Sequence, residues 1–220
     1  MKIETVIFDL DGTLLDTLGD LTDSANHALA CHGMPSRTLK ETRSFVGNGI
    51  PAMIRRCVPE GTDEDTYEAC LAEMLEYYPA HCDIKTAAYD GINALLRELA
   101  DAGIGTAVVT NKAQSAAQIL CGEKFQGLVG VVIGGDPERR YKPAPDGVFA
   151  AMEALGASGE TTVYVGDSDV DMQTAANAGL PAIGVLWGFR DREDLEPYRP
   201  LAIVETPAEL GKILLHRKSR

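Results

Sequence analysis

The sequence predicts an α/β fold: a doubly wound, mostly parallel sheet carrying a small all-helical domain. From residue 90 onward, short apolar runs alternate with helical patterns, the order that a parallel sheet requires. Between about residues 16 and 82 no strand pattern occurs, so that block reads as a helical insertion. Polar residues gather just past the apolar runs, where open parallel sheets place their chemistry.

The chain opens on Val6-Ile7-Phe8, a short buried strand, which runs into Asp9-Leu10-Asp11-Gly12-Thr13. Side chains two apart share a strand face, so the two aspartates can aim together if the strand continues. Gly12 marks the tight turn that follows. Two carboxylates that close repel unless a divalent metal or a raised pKa separates their roles. Taken alone, the same residues also suit a turn or a helix N-cap.

A helix is expected next on Leu18, Leu21, Ala25, Ala28 and Leu29, capped by Asp16 or Thr17 and broken at Gly33-Met34-Pro35. Helices follow near Leu39 to Phe45 and from Ile50 or Pro51 to Cys57. Between them, Gly47-Asn48-Gly49 can present N–H groups to an anion. Arg55 or Arg56 is a candidate to reach a substrate carboxylate. Asp63 to Tyr78 reads as a long helix with Tyr67, Leu71, Met74, Leu75 and Tyr78 on one side. The expected domains are therefore an α/β core, 1–15 with 83–220, and a helical domain, 16–82.

Alternation then resumes. Asp90 is expected to cap a helix bearing Ile92, Leu95, Leu96 and Leu99. Gly105 to Val109 is a strand delivering Thr110-Asn111 at its carboxyl end, with a helix from Lys112 to Leu120. Val129 to Ile133 is a strand and Asp146 to Leu155 a helix. Thr162 to Val165 is a strand ending in Gly166-Asp167, followed by a helix from Asp171 to Ala178. Ala182 to Val185 and Leu201 to Val204 complete six strands. Thr206-Pro207-Ala208-Glu209 opens the last helix with capping-box spacing, and the basic end His216-Arg217-Lys218-Ser219-Arg220 is expected to fray.

Hydrophobic residues make up 45% of the 220, enough for a packed core and against disorder. A formal charge of −13 argues against nucleic acid or an anionic membrane as partner. No apolar run is long enough to span a bilayer, and no signal peptide is expected. Cys31, Cys57, Cys70, Cys82 and Cys121 lack Cys-x-x-Cys spacing and read as reduced thiols of a cytoplasmic protein.

Four segments, in order, carry a resemblance: Asp9-Leu10-Asp11-Gly12-Thr13, Thr110-Asn111, Lys142-Pro143-Ala144-Pro145 and Gly166-Asp167-Ser168-Asp169-Val170-Asp171. Together they resemble the haloacid dehalogenase-like phosphohydrolases and, within them, the phosphoglycolate phosphatases and close relatives. The resemblance implies a Rossmann-like core with a helical cap. It implies Mg²⁺-dependent hydrolysis of a small phosphorylated metabolite through an aspartyl-phosphate, with 2-phosphoglycolate as first candidate, in a monomer or homodimer.

By the same resemblance, Asp9 is the nucleophile and Asp11 the general acid and base. Asp9 and Asp167 supply carboxylates to Mg²⁺, and Asp11 its main-chain carbonyl. Thr110 and Asn111 receive phosphate oxygens, Lys142 neutralises their charge, and Asp171 stands behind the ligands to orient metal-bound water or Lys142. Ala144 departs from the histidine common in phosphoglycolate phosphatases. Leu186-Trp187-Gly188-Phe189-Arg190 resembles their tryptophan-glycine loop and is expected to be scaffold. The alternatives are a sugar phosphomutase of the β-phosphoglucomutase kind or a pyrophosphatase of the same fold. A phosphoacceptor receiver module is a third class, disfavoured because its aspartate follows a middle strand.

Overall fold

The computed structural model describes residues 2–215, so the basic end expected to fray lies outside the described residues. The chain divides into two compact units, Met1–Leu15 with Ala88–Arg220, and Asp16–Ala87. The elements run β1 (Thr5–Phe8), β2 (Leu15–Asp16), α1 (Leu18–Cys31), α2 (Leu39–Phe45), α3 (Gly49–Cys57), α4 (Glu64–His81) and β3 (Ala87–Ala88). There follow α5 (Ile92–Asp101), β4 (Gly105–Ala113), α6 (Gln114–Phe125), β5 (Val131–Gly135), α7 (Asp146–Leu155) and β6 (Thr162–Gly166). The chain ends with α8 (Asp169–Ala178), β7 (Ala182–Val185), α9 (Arg192–Leu195), β8 (Ala202–Val204) and α10 (Pro207–Leu215).

In the first unit the described strands form a six-stranded sheet in the order β5-β4-β1-β6-β7-β8, with each neighbouring pair parallel. β1 lies inside this sheet and is buried along its whole length, which is why it reads as a continuous apolar run. The two-residue alternation sorts its side chains onto two faces. Val6 and Phe8 join Val108, Val163 and Val165, covered by Leu95, Leu96, Leu120, Phe125 and Leu210 from α5, α6 and α10. Ile7 joins Ala107, Val109 and Tyr164 on the other face, covered by Val148, Ala151, Met172 and Ala175 from α7 and α8. Helices on both faces of a parallel sheet make the doubly wound α/β fold that the strand order predicts.

Several elements depart from the sequence reading. β4 continues through Lys112 to Ala113, so α6 starts at Gln114 rather than Lys112. The cause is non-local. Ala113 pairs with Gly135 after an irregularity past Val109, and the Gln114 side chain bonds both Val132 O and Gly134 N. β5 is correspondingly shifted to Val131–Gly135. α5 begins after Gly91, not on an Asp90 cap. At α10, Thr206 Oγ1 accepts from Glu209 N, but the Glu209 carboxylate takes the N–H of Glu205 rather than that of Thr206.

The second unit packs α1 against α4, α2 and α3. Leu21, Ala25, Ala28, Leu29, Met53, Ile54, Tyr67, Cys70, Met74 and Tyr78 are among its buried side chains. Thr38 and Glu41 close a capping box at α2, and Asp63 caps α4 by accepting from Thr66 N. Residues 83–87, expected in the core, fall in this unit. Asp20 on α1 explains why. It is buried, and its carboxylate accepts from the N–H groups of Ile84, Lys85 and Thr86 and from the Thr86 hydroxyl.

All five cysteines are free, and only Cys31 is exposed. Burial pushes the Cys57 thiol up to about 11 and the Cys121 thiol up to about 12. No helix among the described residues is long and apolar enough to cross a membrane.

Asp20→Ala strands four donors at once. It should lower unfolding free energy by about 2–4 kcal/mol in urea titrations. Asp16→Ala, which loses one contact to Leu18 N from an exposed side chain, should cost less than about 1 kcal/mol.

Candidate active site

Asp9 follows β1 directly, with its N–H bonded to Val165 O at 2.9 Å. Its carboxylate is buried, and Oδ1 accepts from Lys142 Nζ at 2.7 Å. The same ammonium reaches Asp171 Oδ1 at 2.8 Å and the Tyr164 hydroxyl at 3.3 Å. Lys142 thus spends its three N–H groups on three buried partners. Asp171 is held in turn at the start of α8. Its Oδ2 accepts from Ser168 N and Ser168 Oγ, while Ser168 Oγ accepts from Asp171 N. One carboxylate therefore closes a local capping box with one oxygen and holds a distant lysine with the other.

Asp167, past the end of β6, accepts from Thr13 Oγ1 at 3.0 Å and from Phe189 N at 2.7 Å. Gly12 makes room for it. Gly12 has φ of 90°, and a Cβ there would collide with the Asp167 carboxylate. Gly188 is equally constrained, because a Cβ would meet both Gly12 O and Asp167. Trp187 donates its indole N–H to Thr13 O at 2.9 Å, so the tryptophan-glycine loop braces the turn after β1.

One ligand oxygen from each of Asp9, Asp167 and Asp171 lies within 4.8 Å of the others. Three buried carboxylates face one ammonium there; ionised together they would leave two negative charges uncompensated. Burial and then the Asp171 charge hold the Asp9 carboxyl well above its ordinary range, against the pull of Lys142. Burial and then Asp171 push Asp167 up to about 7. For Lys142, burial alone would lower the pKa. Asp171 and Asp9 outweigh it and hold the ammonium above its usual value. Hard oxygen donors with this surplus of negative charge fit a divalent cation.

Asp11 stands apart from this trio. Its carboxylate accepts from Lys112 Nζ at 2.8 Å, and the Lys112 side chain is only 3% exposed. Thr110 is buried, and its Oγ1 accepts from Lys112 N. Asn111 is one of the residues expected to receive phosphate oxygens. Its side chain has a task of its own, since Lys142 N donates to Oδ1 at 2.7 Å and Nδ2 donates to Lys142 O at 3.1 Å. This two-point clamp fixes the backbone of the lysine, whose peptide bond to Pro143 is cis.

Within the helical unit, Asn48 Oδ1 and Phe45 O both accept from Arg56. Arg55 bonds Glu64 at 2.6 Å and lies over the Tyr67 ring. Both arginines already have partners in that unit.

Sequence reasoning missed Lys112 and Tyr164, and it gave no role to Thr13 and Ser168 within their motifs. Lys112 carried a signal: had the strand been read on past Thr110, residues 110 and 112 would share a face. Tyr164, a polar tip in an apolar strand, carried another.

Residues 6–185 match the model of the haloacid dehalogenase-like hydrolases. A phosphoglycolate phosphatase of Xanthomonas campestris pv. campestris is 35% identical over 208 residues, which is 93% of this chain and 93% of its own. One from Xylella fastidiosa is 36% identical over 193 residues, 86% of this chain and 83% of its own. The crystal structure of a proposed phosphoglycolate phosphatase from Lactobacillus delbrueckii subsp. bulgaricus has a TM-score of 0.92 at 33% identity, covering 97% of this chain and 99% of that one. A buried acidic cluster past the central strands, with the four motif segments in order, agrees with those likenesses: the chain belongs to the haloacid dehalogenase-like hydrolases, in their phosphoglycolate phosphatase-like branch, and is a phosphoric monoester hydrolase.

Proposed function

We propose that the protein is a Mg²⁺-dependent phosphatase of small phosphomonoesters, 2-phosphoglycolate first among them, working through a phosphorylated Asp9 in the cytoplasm. The observation that carries the chemistry is the Lys142 ammonium fixing Asp9 Oδ1 at 2.7 Å beside two further buried carboxylates. The substrate rests on relatives of 35% and 36% identity that bear that activity in their names.

In this reading Asp9 attacks phosphorus, forming an oxygen–phosphorus bond as the ester alkoxide leaves. Asp11 gives its proton to that alkoxide, then takes one from the water that cleaves the aspartyl-phosphate. Lys142 positions Asp9 and offsets charge on the phosphate oxygens, and Thr110 and the Asn111 backbone add donors. Asp9, Asp167 and the Asp11 main-chain carbonyl would hold Mg²⁺, with Asp171 behind them. When bound, the ion neutralises charge developing on the transferring phosphoryl group. The helical unit, 16–87, is taken as the cap that excludes water and selects the substrate.

Phosphate release should be strongest from 2-phosphoglycolate in a panel that includes sugar phosphates, nucleotides and pyrophosphate, and excess chelator should stop it. Release confined to pyrophosphate, or isomerisation of a sugar phosphate without release, would sink the substrate assignment. Asp9→Asn should abolish turnover, and residual wild-type activity would remove Asp9 as nucleophile. Lys112→Met leaves the Asp11 carboxylate unpaired and should lower kcat about tenfold, against the ~10²–10⁴-fold expected of Asp11→Asn.

A pH test follows from the raised Asp167 carboxyl. Its pKa is about 7 folded and near the ordinary aspartate value unfolded, so the folded state binds its proton more tightly. The favourable contribution is present below the unfolded pKa and is lost as pH rises toward 7. With chelator present, the urea midpoint should therefore drop between pH 5 and pH 7.5, by less in Asp167→Asn. Added Mg²⁺ should restore it at pH 7.5. An identical drop in the variant would refute this account.

A further inference from the structure

On the α1–α4 face of the helical unit, away in sequence from every motif of the catalytic pocket, three metal-ligating side chains of different chemistry converge. His27 and Cys31 stand one turn apart on α1, and Glu73 comes from α4. His27 Nε2 lies 3.0 Å from Glu73 Oε1, and Cys31 Sγ lies 3.7 Å from the same nitrogen. One ligand atom from each residue lies within 4.8 Å of the others. The imidazole is fixed in plane by Tyr77, stacked on it at 3.7 Å and 13°, and Tyr77 is itself stacked on His81.

We propose that His27, Cys31 and Glu73 form a second metal site, one that takes Zn²⁺ through nitrogen, sulfur and oxygen. Distances favour it. Zn–N, Zn–S and Zn–O bonds of ordinary length in a tetrahedron put nitrogen about 3.3 Å from oxygen and about 3.6 Å from sulfur. The two observed separations are close to those edges. Bonding favours it too. The His27 ring and the Cys31 thiol both face the Glu73 carboxylate, so the three ligand atoms are already gathered around shared protons. A cation in place of those protons takes a lone pair from each. Binding releases the Cys31 thiol proton and uses the Nε2 lone pair. A thiolate and a carboxylate then balance the ion's two charges, and water fills the fourth position. The thiolate and imidazole select a borderline or soft ion over Mg²⁺, which prefers oxygen. The ion would tie α1 to α4.

The test keeps Mg²⁺ saturating, so that hard carboxylate sites are filled, and titrates Co²⁺ and then Zn²⁺ into the full protein. Co²⁺ should produce a thiolate-to-metal charge-transfer band in the near ultraviolet, bleached by Zn²⁺. The carboxylate cluster of the catalytic pocket has no thiolate and cannot give that band. Cys31 is the exposed cysteine, so its alkylation is read by peptide mass spectrometry, and Zn²⁺ should slow it by about tenfold or more. Cys31→Ser, His27→Ala and Glu73→Gln should each lose the band. His27→Ala and Glu73→Gln should also lose the protection. An absent band with unchanged Cys31 alkylation overturns the proposal. So does a band that survives in His27→Ala and Glu73→Gln, which would mean that the thiol binds metal alone.

Discussion

The catalytic pocket turns on one buried ammonium. Lys142 has its three donors committed to Asp9, Asp171 and Tyr164, and it stands against a cluster of three carboxylates. Charges this deep in a protein cost several kcal/mol each to desolvate unless they are paired and hydrogen-bonded. The fold meets that cost by delivering each partner from a different element. Asp9 comes from the end of β1, Tyr164 from β6 and Asp171 from the first turn of α8. The lysine itself sits on a loop, and a loop alone would leave its position soft. The Asn111 side chain removes that freedom by bonding both the N–H and the carbonyl of Lys142. Strand β4 thereby fixes the lysine's backbone, while the acidic partners fix its head.

The same logic governs the helical unit at smaller scale. Asp20 is a buried acid with four donors aimed at it, three of them backbone N–H groups of the returning chain. That single side chain binds residues 84–86 to α1 and moves the boundary past 82, where periodicity had put it. Composition and hydrophobic spacing carry no trace of such a contact, since an aspartate in the first turn of a helix looks like ordinary dipole complementation.

What was legible in the sequence was what local signals and tertiary packing agree on. α2, α7 and β7 have the bounds that periodicity and turn residues predict: α7 buries Val148 and Ala151, β7 is buried along its length, and the Thr38–Glu41 capping box fixes the start of α2. The doubly wound sheet followed from alternation alone. The candidate site was legible as motifs: Asp9, Lys142, Asp167 and Asp171 do converge. What stayed hidden depends on contacts across the fold. Lys112 reads as the start of a helix until Ala113 is paired to Gly135 and Gln114 reaches across to β5. Its pairing with Asp11 links residues 101 positions apart, beyond any window of local pattern.

Asp171 shows why a local reading and a functional one need not compete. As the third residue of a capping box it would be explained fully by helix α8, with Ser168 as its partner. Yet only one of its oxygens is used there, and the other faces Lys142. The cap sets the rotamer, the rotamer sets where the free oxygen points, and burial makes that oxygen's charge felt by Asp9 and Asp167. Replacing Ser168 would therefore disturb more than a helix terminus, because the ammonium that holds Asp9 is itself held by the residue Ser168 orients. A helix cap worth about 1 kcal/mol in isolation thus becomes part of the frame that holds a buried charge cluster in place.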